Sequence, residues 1–209
     1  MTIHFVLVGE GTSDDGLIPH LETLCIHLGA DEVTGTAIDF RRLDQPVGHS
    51  LQAKLGAAVQ LEPAANLFFL HRDADSPDPA PRRAEIVDAV GAVGLPQAWV
   101  AIVPVQETEA WLLLDEAAIR MVAGKPRGRV PLNLPRANQV ESVANPKERL
   151  QDALVTASEA TGRRLAKTRR DFPEHRRILL QRLPIGGPLR EVHSWVLLEF
   201  DLTAVIAKL

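Results

Sequence analysis

Cysteine is nearly absent: Cys25 is the only one in 209 residues. One thiol makes no internal disulfide and no thiolate zinc site, and it suits a reducing compartment, so a cytoplasmic protein is expected. No apolar run approaches the roughly 18 residues of a membrane helix. The opening residues, MTIHFVLVGEG, carry no basic n-region and no small-residue cleavage site, so no signal peptide is expected. Two nucleotide-binding signatures are also missing. The chain has no Gly-Lys-Ser/Thr of a Walker loop, and the glycines near residue 10 lack the third member of a dinucleotide fingerprint.

What is present is ordinary in bulk and uneven in distribution. Hydrophobic residues make up 45% and charged residues 24%, as in a globular protein. The formal net charge of −4 hides two halves of opposite sign. Residues 1–119 hold 6 Lys/Arg against 18 Asp/Glu, whereas residues 120–190 hold 16 against 6. Such a split suggests a metal site beside a polyanion surface, or simply solvated helix faces of opposite charge.

Four β-rich runs stand out: Ile3–Val8, Ala37–Leu43, Asn66–His71 and Trp99–Val105. Three of them are nearly continuous apolar runs, as in strands buried on both faces. Helical patterns lie between them: one begins near Ser13 and ends at Gly29, and others cover 49–61 and 82–93, the last with Ile86, Val87, Val90 and Val93 inward. This alternation predicts an α/β fold, a parallel sheet with helices on both faces. Glu107–Val122 reads as one further helix, residues 124–144 as a long Pro/Gly/Asn/Arg-rich connection, and Asn145 and Asp171 as helix starts. A last helix is expected over 188–207. The expected organisation is an α/β domain over 1–122 and a helical, basic extension over 123–209 packed on it.

Two acidic clusters follow strands. Val8–Asp15 (VGEGTSDD) places Glu10 between two glycines after the first strand. Phe68–Asp75 (FFLHRDAD) places Asp73 and Asp75 two residues apart after the third. On an extended backbone these two carboxylates share a face, and they repel unless a cation lies between them. Hard oxygen ligands in a crevice suit Mg²⁺ or Mn²⁺. Asp14 and Asp15 are explained by a helix dipole, and His71 as a satisfied structural histidine. Haloacid-dehalogenase phosphatases also carry Asp-x-Asp after a strand, but with Thr or Val two residues later, where this chain has Pro77.

Glu-Gly after the first strand with Asp-x-Asp after the third resembles the Toprim domain of topoisomerases, bacterial primases, some nucleases and phage-defence proteins. The resemblance spans roughly residues 1–105. It implies that Glu10 is a general acid or base and shares a metal, and that Asp73 and Asp75 hold Mg²⁺. The segment Val103–Asp115 (VPVQETEAWLLLD) with Asn145–Lys147 (NPK) looks like a group of small bacterial Toprim-like proteins. By similarity to overcoming-lysogenisation-defect nucleases, Glu107 and Glu109 are candidates for a second metal. Trp111, beside two leucines, is expected in the core.

The basic stretch supplies candidate backbone contacts: Lys147, Arg163, Arg164, Lys167, Arg169, Arg170, Arg176 and Arg177. Tyrosine is missing altogether and Phe172 is the one aromatic residue there, so phosphate contacts rather than base stacking are expected. The expected function is a Mg²⁺- or Mn²⁺-dependent phosphodiester-processing enzyme, a nuclease acting on DNA or RNA, in phage defence. The alternative is a non-catalytic subunit of a defence or repair complex, working with a partner protein.

Overall fold

The computed structural model describes residues 1–209, apart from the side chain of Arg41. The chain forms two compact units. The first comprises Met1–Asp73, Pro79–Val103 and Val196–Leu209; the second comprises Ala74–Asp78 and Pro104–Trp195. The boundary expected at 122/123 falls inside the second unit.

The first unit is the α/β part. Its elements in order are β1 (Thr2–Val8), α1 (Ile18–His27), β2 (Glu32–Ala37), α2 (Leu51–Leu61), β3 (Leu67–His71), α3 (Ala80–Val93) and β4 (Ala98–Ile102). The four strands form one all-parallel sheet in the order β2-β1-β3-β4, flanked by helices. This is the α/β architecture the alternation predicts, and it agrees with a Toprim-like arrangement. Every residue of β3 is buried, as a central parallel strand requires. Phe5 and Phe69 meet edge to face across β1 and β3, with ring centroids 5.0 Å apart. Cys25 is buried there, and burial followed by the nearby Glu22 pushes its thiol up to about 12, so it stays protonated and inert.

The second strand lies earlier than its apolar content suggests. Ala37–Leu43 is not the strand; β2 is Glu32–Ala37, and Phe40–Arg42 form a 3₁₀ turn. An edge strand has one unpaired side, so it need not be an apolar run. Gly35 fits it to the sheet: a Cβ there would lie 2.3 Å from the Phe5 ring. Around α1, Ser13 sits in a 3₁₀ turn rather than capping the helix, while Gly29 ends that region at φ 107°. Ser50 caps α2, its Oγ accepting from the Ala53 amide at 3.2 Å. In α3, Ile86 and Ala89 are buried, but Val87, expected inward, is exposed.

The second unit is helical: α4 (Glu109–Leu112), α5 (Glu116–Val122), α6 (Ala137–Val140), α7 (Pro146–Ser158), α8 (Gly162–Arg170) and α9 (Phe172–Gln181), followed by a 3₁₀ turn and the first turn of α10 (His193–Ile206). The single helix expected over Glu107–Val122 is broken, because Asp115 caps α5 by accepting from the Ala118 amide at 2.8 Å. Trp111 is core, edge to face with Trp195 at 5.2 Å, and its indole N–H donates to Ser194 Oγ at 3.0 Å. Among the described residues no helix is long and apolar enough to cross a membrane.

Candidate functional site

The strand order decides where a ligand site belongs in the first unit. From β1 the chain crosses to β2 on one side, and from β3 it crosses to β4 on the other. The switch point therefore lies between β1 and β3, and in open parallel sheets ligands bind there, beyond the carboxyl ends of the strands. Val8 is in register with Leu70, so Glu10 and Arg72, each two residues further on, face each other. Arg72 Nη1 lies 3.0 Å from Glu10 Oε1, and its Nη2 reaches Glu85 at 3.2 Å.

Beneath this pair is a buried acid–imidazole group. His71 ends β3 and has no exposed surface. Its Nδ1 lies 3.3 Å from Asp14 Oδ2, and its Nε2 lies 3.7 Å from Asp73 Oδ1. Carboxylates on both nitrogens favour the doubly protonated ring. Burial alone would lower the His71 pKa, but the bond to Asp14 and the charges of Asp14, Asp73 and Glu10 outweigh it and hold the pKa above its ordinary value. Asp14 is itself 3% exposed, and Gly9 admits it: a Cβ on Gly9 would lie 3.1 Å from Asp14 Oδ2. Asp14 is thus no mere helix-dipole acid.

Beside this group is a cavity of about 240 Å³ whose lining includes Gly9, Glu10, Gly11, Thr12, Asp15, His49 and Lys54. Lys54, the one charged residue of α2, donates to the backbone carbonyls of Gly9 and Glu10. Burial, then Arg72, lowers its pKa against the opposing pull of Glu10 and Asp14. Burial, then Asp14, raises that of Asp15. The cavity therefore has both signs of charge within reach of a ligand. Comparison with family models, curated proteins and solved structures returns no match. The chemistry must be read from the residues themselves.

The structure places Asp14 and Asp73 against His71 and Glu10 against Arg72, and it gives Glu107 and Glu109 other partners. The strand ends at His71, and Asp75 has φ 51°, so the shared-face argument for Asp73 and Asp75 does not apply. Asp75 belongs to the second unit, where its amide donates to the Gln106 carbonyl at 2.8 Å. Glu107 accepts from the Lys147 amide at 3.0 Å and so caps α7, a task expected of Asn145. Glu109 is buried and takes a 2.7 Å bond from Arg176 Nε, which occupies both members of that pair.

The basic residues also separate. The helix α8 has no buried residue. Lys167 and Arg170 lie against Asp171, and Arg177 against Glu174. Arg163, Arg164 and Arg169 are exposed with no acidic partner among the described residues, and Lys147 is also exposed. Lys54 and Arg72 were not legible as site residues, although a lone lysine in an Ala-rich helix is a usable signal.

Proposed function

We propose that the crevice beyond β1 and β3 is the active site of a Mg²⁺- or Mn²⁺-dependent phosphodiester-processing enzyme, a nuclease acting on DNA or RNA. The observation that carries this reading is the placing of Asp14 and Asp73 against the two nitrogens of one buried imidazole, with Glu10 held by the neighbouring Arg72, at the switch point of the sheet. Folding alone has no need of three acids there.

The donor set fits a sparsely held hard cation. Mg²⁺ is usually bound through one or two carboxylates, with waters and substrate phosphate completing its shell. Glu10 and Asp73 keep solvent access, whereas Asp14 is committed to His71. Among the described residues no group of three or more His, Cys, Asp or Glu is arranged to hold an ion, which argues against an all-protein cage. His71, flanked by acceptors on both nitrogens, is no ligand. When bound, the ion supplies charge at the phosphoryl oxygens and a more acidic water.

The chain's own groups do the rest. Asp73 would hold the ion, with the His71 ring 3.7 Å away to orient its carboxylate. Glu10 accepts a proton from the attacking water at the mouth of the cavity. Lys54 and Arg72 draw the phosphodiester into the crevice and offset its negative charge. The second reading, a regulatory subunit, draws on the Arg72–Glu10 contact, which already engages the proposed base. Incubation of the purified chain with labelled single- and double-stranded DNA and RNA separates the two. Cleavage in Mg²⁺ or Mn²⁺ that EDTA stops is expected; intact substrates throughout would favour the regulatory reading.

Nucleic acid is proposed to contact α8 through Arg163, Arg164 and Arg169. Each phosphate neutralised contributes about −0.7 to −0.9 to the log–log salt slope of binding. Replacing the three arginines with alanine is expected to flatten that slope by about 2 in a fluorescence-anisotropy titration. An unchanged slope would remove α8 from the interface.

A further inference from the structure

We propose that the loop Gly124–Val130, with Arg120 beneath it, binds a phosphate group carried by a nucleotide or by a nucleic-acid backbone. This goes beyond the proposed function: it assigns a second site, within the second unit, that needs no metal.

The loop is built rather than slack. Gly124 turns the chain out of α5 at φ 78°, a left-handed conformation that suits glycine. The Lys125 amide donates to the Arg120 carbonyl at 2.9 Å, and the Gly128 amide donates to the Lys125 carbonyl at 2.9 Å. Arg120 Nη2 then holds the far end by donating to the Val130 carbonyl at 2.8 Å. The result presents Lys125, Arg127 and Arg129 around an open cavity of about 530 Å³. That volume is in the range of pockets for small organic ligands, larger than a bare anion needs.

Arg120 ties the loop to α5, and the cations that line the cavity are what point to a ligand. Arg120 is 7% exposed, in a part of the fold where a guanidinium needs all its donors satisfied. Its Nε and Nη2 donate to Glu116 Oε1 at 2.8 and 2.6 Å. Its Nη1 is buried and has no hydrogen-bond partner among the described residues. That group lies 3.2 Å from the position a Cβ on Gly128 would take, behind the glycine and outside the lining of the cavity.

The charges around the cavity agree. Arg127 and Arg129 are exposed and have no acidic partner among the described residues. Glu159 is the one acid in the lining, 3.9 Å from Lys125, with Oε1 3.0 Å from the same Gly128 Cβ position. It acts as an internal counter-charge that an incoming phosphate displaces. Arginine forks match phosphate oxygens in pairs, which favours phosphate over a halide or a single carboxylate.

The test is calorimetry on the full chain in EDTA, with inorganic phosphate, AMP and a single-stranded DNA octamer as probes. The absence of metal keeps its outcome separate from that of the crevice. At least one probe is expected to bind, about tenfold more weakly to the Arg127→Ala/Arg129→Ala variant, the loss of one to two charge-assisted hydrogen bonds. Both side chains are exposed, so the variant should fold, which circular dichroism checks. Glu159→Gln is expected to bind severalfold more tightly. Binding of phosphate or AMP identifies a free nucleotide as the source; binding of the octamer alone, weakened by Arg127→Ala/Arg129→Ala and so not owed to α8, identifies a backbone phosphate. No binding of any probe, or affinities in both variants within twofold of the parent, would overturn the proposal.

Discussion

Replacing His71 with leucine is expected to destabilise the metal-free protein by about 3–5 kcal/mol, the usual cost of removing one partner from a buried charged group. Leucine matches the apolar setting of β3, so little of that cost comes from packing. It comes from Asp14, which is 3% exposed and would lose its 3.3 Å contact with the imidazole. For a chain of this size the melting temperature should fall by about 2–4 °C per kcal/mol. Adding Asp14→Asn to His71→Leu removes the stranded charge and should recover part of the loss, a non-additivity that a double-mutant cycle measures.

The pH dependence has a definite sign. The His71 pKa is raised in the folded state, against burial, by Asp14 first and then Asp73 and Glu10. Its stabilisation is therefore full below the unfolded value of about 6.5 and is lost as pH rises through the higher folded value. In EDTA the urea midpoint should fall above pH 6.5, and His71→Leu should lack that fall. A leucine variant as stable as the parent at pH 6 would show that the imidazolium does not hold these acids.

Replacing Glu10 with glutamine is expected to slow cleavage by about 10²–10⁴-fold, the usual contribution of a positioned acid or base. The same change should barely alter folding. Glu10 is partly exposed, and its partner Arg72 keeps a second acid in Glu85. Exposed ion pairs contribute about 0–1 kcal/mol, so the melting temperature in EDTA should move by only a few degrees. Single-turnover cleavage at saturating Mg²⁺, beside a melting curve, separates the two effects. Cleavage at the parent rate would remove Glu10 from the chemistry.

The parts legible in the sequence were those encoded locally. The apolar runs of β1 and β3 announce central parallel strands, and Glu10 and Asp73 follow from the rule that functional side chains gather where such strands end. The edge strand β2 was misplaced because EVTGTA is half polar, while Ile38, Phe40 and Leu43 after it lie in a loop and turn. Partners distant in sequence were out of reach. Asp14 and His71 are 57 residues apart, and Arg176 and Glu109 are 67 apart. Nothing in one segment shows that its acid will be consumed by a cation in another. The backbone beyond β3 is not the extended one that the Asp73–Asp75 spacing suggests: the strand stops at His71, and Asp75 has φ 51°.

The crevice is proposed to hold a divalent cation through Asp73. Calorimetric titration of the purified chain with Mn²⁺ tests it most directly. Saturable binding is predicted, weakened at least about tenfold by Asp73→Asn, a loss of about 1.4 kcal/mol or more. Asp88→Asn, an exposed change on α3, should leave it unaltered. Equal Mn²⁺ affinity in Asp73→Asn and the parent, or no binding in either, would rule out a cation held by Asp73.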